Sequence, residues 1–234
     1  TAGVIAVSVL FIAFAVVLPI LSSFVTDLWW FDDLGQKSIF VKRILTAIGT
    51  GGAAFLAVSA FMLLNSAIIA RAVSSGGTVP GRDMRPLKYM TAAASVFVGA
   101  AAGLSMGANW MAVQQFMYAT PFAKADPVFG IDASFYVFKL PLYEILYRGA
   151  MQILVAAAVM AGLSYLFGAL VMEPYEVEMA GPFGSRRQKS FRMKFEKVGV
   201  RSRNHLIALV AAIFAGKAAG YVLDIYRLVY SPRG

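Results

Sequence analysis

The sequence predicts an all-α, polytopic bundle of about five membrane-spanning helices, and three observations predict it. The first is a set of long runs without charge. No Asp, Glu, Lys or Arg occurs from Gly3 to Val25, from Ile44 to Ala70, from Tyr89 to Ala123 or from Gly149 to Met172, and a fifth run, His205 to Leu223, holds one lysine. About 20 apolar residues in a helix cross a bilayer core, and a spanning segment must satisfy its backbone hydrogen bonds internally. The second observation is composition: 59% of the 234 residues are hydrophobic and 14% charged, against about 45–50% and about 25% in soluble domains. The third is that the charges fall on alternating sides once the runs are taken as spans.

The spans are placed at about 3–25, 44–70, 88–111, 142–172 and 205–228, within a single transmembrane domain covering 1–234. The first run is longer than the 7–15-residue apolar core of a secretory leader and reads as a retained helix. The chain starts at Thr1 without an initiator methionine and stops at Gly234 just after a membrane segment, so further residues are expected at both ends. Trp29, Trp30 and Phe31 follow the first span, and Trp110 closes the third. Amphipathic rings prefer the headgroup level, so these residues predict an aromatic belt on the outer face. In the second span Gly49, Gly51 and Gly52 lie at a helix start and form no phosphate-binding loop.

In the third span Gly99, Gly103 and Gly107 recur every four residues, and Gly216 and Gly220 repeat the device in the fifth. Lipid supplies no hydrophobic drive between helices, and small residues let backbones approach closely, so these are helix-packing faces. Residues 112–141 form an outer loop that is aromatic and punctuated by Pro127, Gly130 and Pro141. Such a loop is expected to fold back on the helix ends through Phe135, Val137 and Tyr136. Residues 173–203 form a basic loop in which Phe191, Met193 and Phe195 alternate with charge. That alternation suits a strand, while Phe191, Phe195 and Val198 suit a helix face on lipid, and periodicity does not choose between them.

Counting charges by side gives orientation. Arg71, Arg82, Arg85, Lys88, Arg186, Arg187, Lys189, Arg192, Lys194, Lys197, Arg201 and Arg203 share one side, whereas Lys37, Lys42, Arg43, Lys124, Lys139, Arg227 and Arg233 share the other with five aspartates. The positive-inside rule places the first group, and the N-terminus, in the cytoplasm. The expected location is a bacterial plasma membrane, with the C-terminal end extracytoplasmic. Inner-leaflet lipid then accounts for the net charge of +9, and no nucleic-acid partner is needed.

Candidate chemistry is sparse. Cysteine is absent, which excludes disulfides, thiolate metal sites and cysteine nucleophiles within this chain. Lys217 sits midway along the fifth apolar run, seven residues before Asp224, and a buried ammonium there costs on the order of 3 kcal/mol on insertion scales. It either lines a polar path with Asp224 or snorkels. The lone histidine, His205, reads as a helix-end residue, with axial ligation of a pigment or haem as the alternative. Asp32, Asp33, Asp126 and Asp132 are oxygen donors without an ordered cation-binding spacing. No catalytic set, cofactor site or metal site is assigned.

Three groups of residues carry a resemblance: Asp27-Leu-Trp-Trp-Phe31; Asp126-Pro-Val-Phe-Gly-Ile-Asp132 with Phe135-Tyr-Val-Phe-Lys-Leu-Pro141; and Arg203-Asn-His-Leu206 with Tyr221-Val-Leu-Asp-Ile-Tyr-Arg-Leu-Val-Tyr-Ser231. With them the chain resembles the large bacterial membrane proteins grouped as uncharacterised protein family number 0182. The resemblance implies about seven helices and a large extracytoplasmic domain, of which this chain would be the first five helices, and it implies no activity or catalytic residue. The expected function is a non-enzymatic structural or accessory module that packs on other membrane subunits or on itself. The alternatives are a transporter or channel using Lys217 and Asp224, and a pigment- or haem-contacting subunit of an energy-converting complex.

Overall fold

A computed structural model describes residues 2–75, 84–181, 184–195 and 199–230. The chain runs through α1 (Ala2–Asp33), α2 (Lys37–Ser75), α3 (Arg85–Ala108), a short α4 (Trp110–Met117), a π-helical turn (Phe135–Lys139) and α5 (Leu140–Ala169). A hairpin of β1 (Leu170–Gly181) and β2 (Gly184–Phe195) follows, then α6 (Val200–Arg227) and a final 3-10 turn, Leu228–Tyr230. Among the described residues α2, α3, α5 and α6 are long and apolar enough to cross a membrane. With α1, 32 residues long and interrupted only by Pro19, four to five helices have that capacity, and the fold is an all-α bundle with one hairpin attached.

Helix ends follow backbone chemistry rather than the onset of charge. α1 continues past residue 25, through Trp29, Trp30 and Phe31, and stops at Gly35, whose φ of 66° suits a residue without a Cβ. There the Gly35 N–H donates to Asp32 O at 2.9 Å and the Gln36 N–H to Phe31 O at 2.8 Å, the paired bonds of a Schellman ending. α5 ends at Ala169, so residues 170–172, expected in a helix, lie in β1. Pro174 explains this: it cannot continue a helix, and it biases Glu173 before it toward extended backbone. The expected loop 173–203 is instead mostly hairpin, paired antiparallel from Leu170 with Phe195 to Gly181 with Gly184. Phe191, Met193 and Phe195 therefore belong to a strand. Val198 and the basic residues Arg82, Lys197 and Arg233 lie outside the described residues.

α2 and α3 pack most closely, along small residues. A Cβ built on Gly103 would lie 2.8 Å from Gly51 O and 2.9 Å from Phe55 Cβ, and one on Gly107 would lie 3.0 Å from Ala47 O. Gly99 packs against Ser59 in the same seam. Between α5 and α6, a Cβ on Gly216 would meet Met151 Sδ at 2.6 Å, and one on Gly220 would overlap the Tyr147 hydroxyl. All five glycines thus face partners within this chain. Toward the hairpin end Met62, Ile69, Ala157, Ala161, Tyr165 and Leu209 form a buried core where α2, α5 and α6 meet. At the opposite end, hereafter the loop end, Phe24 and Phe31 of α1 pack on Phe40 of α2.

Candidate functional site

Polar groups inside an apolar bundle are conspicuous because unsatisfied ones cost several kcal/mol there, about as much as any packing contact contributes. The most connected set joins α2, α5 and α6. Asn65, 5% exposed, donates from Nδ2 to Phe61 O at 2.8 Å, which turns its Oδ1 outward to receive His205 Nε2 at 3.0 Å. Tyr165, 3% exposed, meets His205 Nδ1 through its hydroxyl at 2.7 Å. With the amide oriented by Phe61, the neutral ring protonated on Nε2 satisfies every contact: Nε2–H donates to Asn65 and Nδ1 accepts from Tyr165. Both ring nitrogens are engaged, so neither is available for an axial bond to iron in this conformation. Nearby, Ser66 and Thr91 share a hydrogen bond of 2.7 Å between α2 and α3.

His205 sits five residues inside α6, which begins at Val200, and so is not the helix-end residue expected of a span starting at 205. Asn65 lies six residues before Arg71 on α2, or about 9 Å along the axis. The network therefore reaches from the charged rim, where His205 follows Arg203 by two residues, into the apolar part of the bundle at Asn65. Sequence reasoning passed over Asn65 and Tyr165. The available signal was an amide in the charge-free run of α2, since such side chains commonly bond across helices in membranes.

At the loop end the aspartates build a folded loop. Asp126 accepts from Val128 N at 2.8 Å, Phe129 N at 3.0 Å and the Tyr136 hydroxyl at 2.9 Å. Pro127 presets the turn, and Gly130, with φ 66°, closes it by donating to Asp126 O at 3.0 Å. Asp132 accepts from Phe122 N and Ser134 N. Phe129 and Phe135 stack edgewise on Tyr226 of α6, whereas Val137 is exposed. Pro141 stands in the first turn of α5, directly after the π-helical turn Phe135–Lys139. Asp32 is paired with Lys37 at 3.3 Å, and among the described residues no three metal-binding side chains converge.

The loop's acids carry a pH prediction. Hydrogen bonds from Ser134, first its hydroxyl, and from the Phe122 amide hold the Asp132 carboxyl down to about 2. Burial pushes Asp126 up, but bonds from Val128, Tyr136 and Phe129 together outweigh it and lower the group below 3.8. A depressed acid stabilises the fold above its unfolded pKa and loses that contribution as pH falls through the folded one. Amide chemical shifts of Phe122 and Ser134 should therefore hold from neutral pH to below 3.8 and move as pH approaches about 2. A midpoint at 3.8 would mean that the carboxylate is not held by the loop.

Lys217 and Asp224 are not brought together. Asp224 accepts from Arg227 Nη1 at 2.9 Å, and Arg227 Nε also donates to Glu144 of α5 at 2.7 Å. That cluster ties α5 to α6 at the loop end. Lys217 is exposed on α6 and makes no ion pair among the described residues. Trp29 and Trp30 are exposed, and Trp110 lies under the Arg43 guanidinium at 5.9 Å, so the aromatic residues cluster at one level of the bundle.

This chain has sequence relatives among known proteins. It is 32% identical to a UPF0182 protein of Moorella thermoacetica over 91% of the chain and 23% of that relative. It is 28% identical to a UPF0182 protein of Saccharopolyspora erythraea over 88% of the chain and 21% of the relative. A UPF0182 protein of Methanospirillum hungatei is 27% identical over 96% of the chain and 25% of the relative. The chain thus spans a quarter or less of the length of the curated relatives it matches. No solved structure matches. The family's sequence model covers residues 4–234, and the chain belongs to the Uncharacterised protein family (UPF0182).

Proposed function

We propose that this chain is a structural, multi-pass module of a larger membrane assembly, in which the exposed face of α6 packs against further protein. The observation that carries this reading is Lys217. It lies inside an otherwise uncharged stretch of α6, between Arg203 and Asp224, about 10 Å along the axis from the latter. It is exposed and unpaired among the described residues. An ammonium facing acyl chains costs on the order of 3 kcal/mol, and intramembrane charges normally face a polar partner. α6 is also the least covered of the four candidate spans. The charge asymmetry supports an orientation with the hairpin end cytoplasmic and the aromatic loop extracytoplasmic.

The transport reading drew on Lys217 and Asp224 as a pair, and the bonding of Asp224 to Arg227 instead favours a fixed helix end. A photo-cross-linking amino acid placed at position 217 of the full-length protein, followed by mass spectrometry, tests the proposal. Adducts to another protein, or to a distant segment of the same one, are the expected result. Adducts to lipid alone are what a snorkelling lysine would give, and they would overturn the reading.

A further inference from the structure

The hairpin hangs from two helices that a histidine joins near its root. α5 runs without a break into β1, and α6 begins at Val200, five residues after β2 ends at Phe195. Tyr165 stands five residues before β1 and His205 five residues into α6, each about 7.5 Å along its helix. The 2.7 Å contact between them therefore bridges the two helices that carry the hairpin. At the loop end the same two helices are tied by Arg227, whose Nε donates to Glu144 at 2.7 Å.

The bridge fits one charge state of the ring. Neutral His205 donates from Nε2 to Asn65 Oδ1 and accepts the Tyr165 hydroxyl on Nδ1. The protonated ring is a donor at both nitrogens. Asn65 Oδ1 still accepts, but Tyr165 must then receive a hydrogen bond and turn its own hydrogen elsewhere. That hydroxyl has no second partner among the described residues. Tyr165 is itself buried in the apolar core with Met62, Ile69, Ala161 and Leu209, and a buried donor left unmade costs its full desolvation. The surroundings oppose a cation too. α6 places Arg201 and Arg203 beside the ring, α2 brings Arg71 at the same end, and the only titratable group α5 brings there is Tyr165. The acids of these three helices, Glu144 and Asp224, both stand at the loop end. Glu173 of β1 lies eight residues beyond Tyr165 and stands opposite Arg192 in the hairpin register.

We infer that His205 is a pH-sensitive clasp: its neutral ring holds α5 to α6 at the root of the hairpin, and protonation frees that end while the loop end stays tied. The clasp is closed above the ordinary histidine range, centred at about 6.5, and opens as pH falls below it. This inference does not rest on the α6 contact proposed above. Residues 1–234 hold no cysteine, so pairs of nitroxide labels can be placed in the full-length protein once any cysteine elsewhere in it is replaced by serine. One pair, at exposed Leu163 and Ile207, reports the hairpin end, and the other, at exposed Leu146 and Tyr221, reports the loop end. Double electron–electron resonance in detergent at about pH 7.5 and about pH 5, either side of the histidine range, gives the two distances. At the lower pH the hairpin-end distance is expected to lengthen or broaden by several Å and to recover on return to the higher one, while the loop-end distance holds. In His205→Gln, which cannot titrate, the pH step should vanish. A hairpin-end distance that ignores pH, a change at both ends alike, or the same step in His205→Gln would overturn the inference. If His205→Gln fails to fold, the two label pairs in the otherwise unaltered protein decide the matter by themselves.

Discussion

Gly103→Leu is expected to destabilise the protein by about 3 kcal/mol or more, the upper end of what overpacking does. The nearest atoms to a Cβ at this position are Gly51 O at 2.8 Å and Phe55 Cβ at 2.9 Å, and neither can rotate away, because both are fixed by the path of the α2 backbone. The helices would have to separate, and Gly51 would be drawn away from Gly107, which it also approaches. Replacing glycine in a helix gains about 0.8–1 kcal/mol of propensity, too little to offset that. Gly52→Leu is the control: one residue from Gly51 on α2, it has nothing within 4 Å and should not destabilise, its change staying within that propensity gain of about 0.8–1 kcal/mol. Gly99→Ala should fall between them, because the closest atom it meets is the rotatable Ser59 hydroxyl. Denaturation midpoints of the full-length protein in detergent give the comparison. If Gly103→Leu behaved like Gly52→Leu, the close seam between α2 and α3 would be wrong.

Much of the fold was legible because lipid imposes a single demand over long stretches. Runs such as 44–70 and 149–172 need only be uncharged and helical to be recognised. The glycine faces were legible for a related reason: a four-residue period keeps Gly99, Gly103 and Gly107 on one side of a helix whatever they touch. Their partner was not, since Gly51 has no period of its own and the pairing of α2 with α3 is a tertiary fact. The hairpin was half legible in the alternation of Phe191, Met193 and Phe195. Its other strand carries Pro174, and only the pairing of Pro174 with Phe191 shows how that proline is accommodated.

The polar site was the least legible. Asn65, Tyr165 and His205 are separated by 140 and 40 residues across their two bonds, so no local spacing links them. His205 reads as a helix-end residue only if α6 begins beside it, and an uncharged stretch does not reveal that the helix starts earlier, at Val200. The Lys217 and Asp224 pair failed in the opposite way. Seven residues put both on one side of a helix, but Arg227 is three residues from Asp224 and its fork reaches the acid directly.

The second large effect is expected at this network. His205→Leu removes two bonds between helices, which in membranes average about 0.6 kcal/mol each, and leaves the Tyr165 hydroxyl and Asn65 Oδ1 in a site that admits little water. Stranding buried groups costs about 1–3 kcal/mol apiece when nothing replaces the partner. A total loss of about 2–3 kcal/mol follows, once partial relaxation toward other acceptors is allowed for. Tyr165→Phe should cost less, because only His205 Nδ1 loses a partner while Nε2 remains bonded to Asn65. The decisive measurement is the double variant. Once His205 is gone the Tyr165 hydroxyl has already lost its acceptor, so adding Tyr165→Phe should remove a stranded group and cost little or nothing further. Single effects that instead added within about 0.5 kcal/mol, the agreement shown by independent sites, would mean that the two side chains are neighbours without being bonded. The hydroxyl–imidazole contact would then not be what holds α5 to α6 at this end of the bundle.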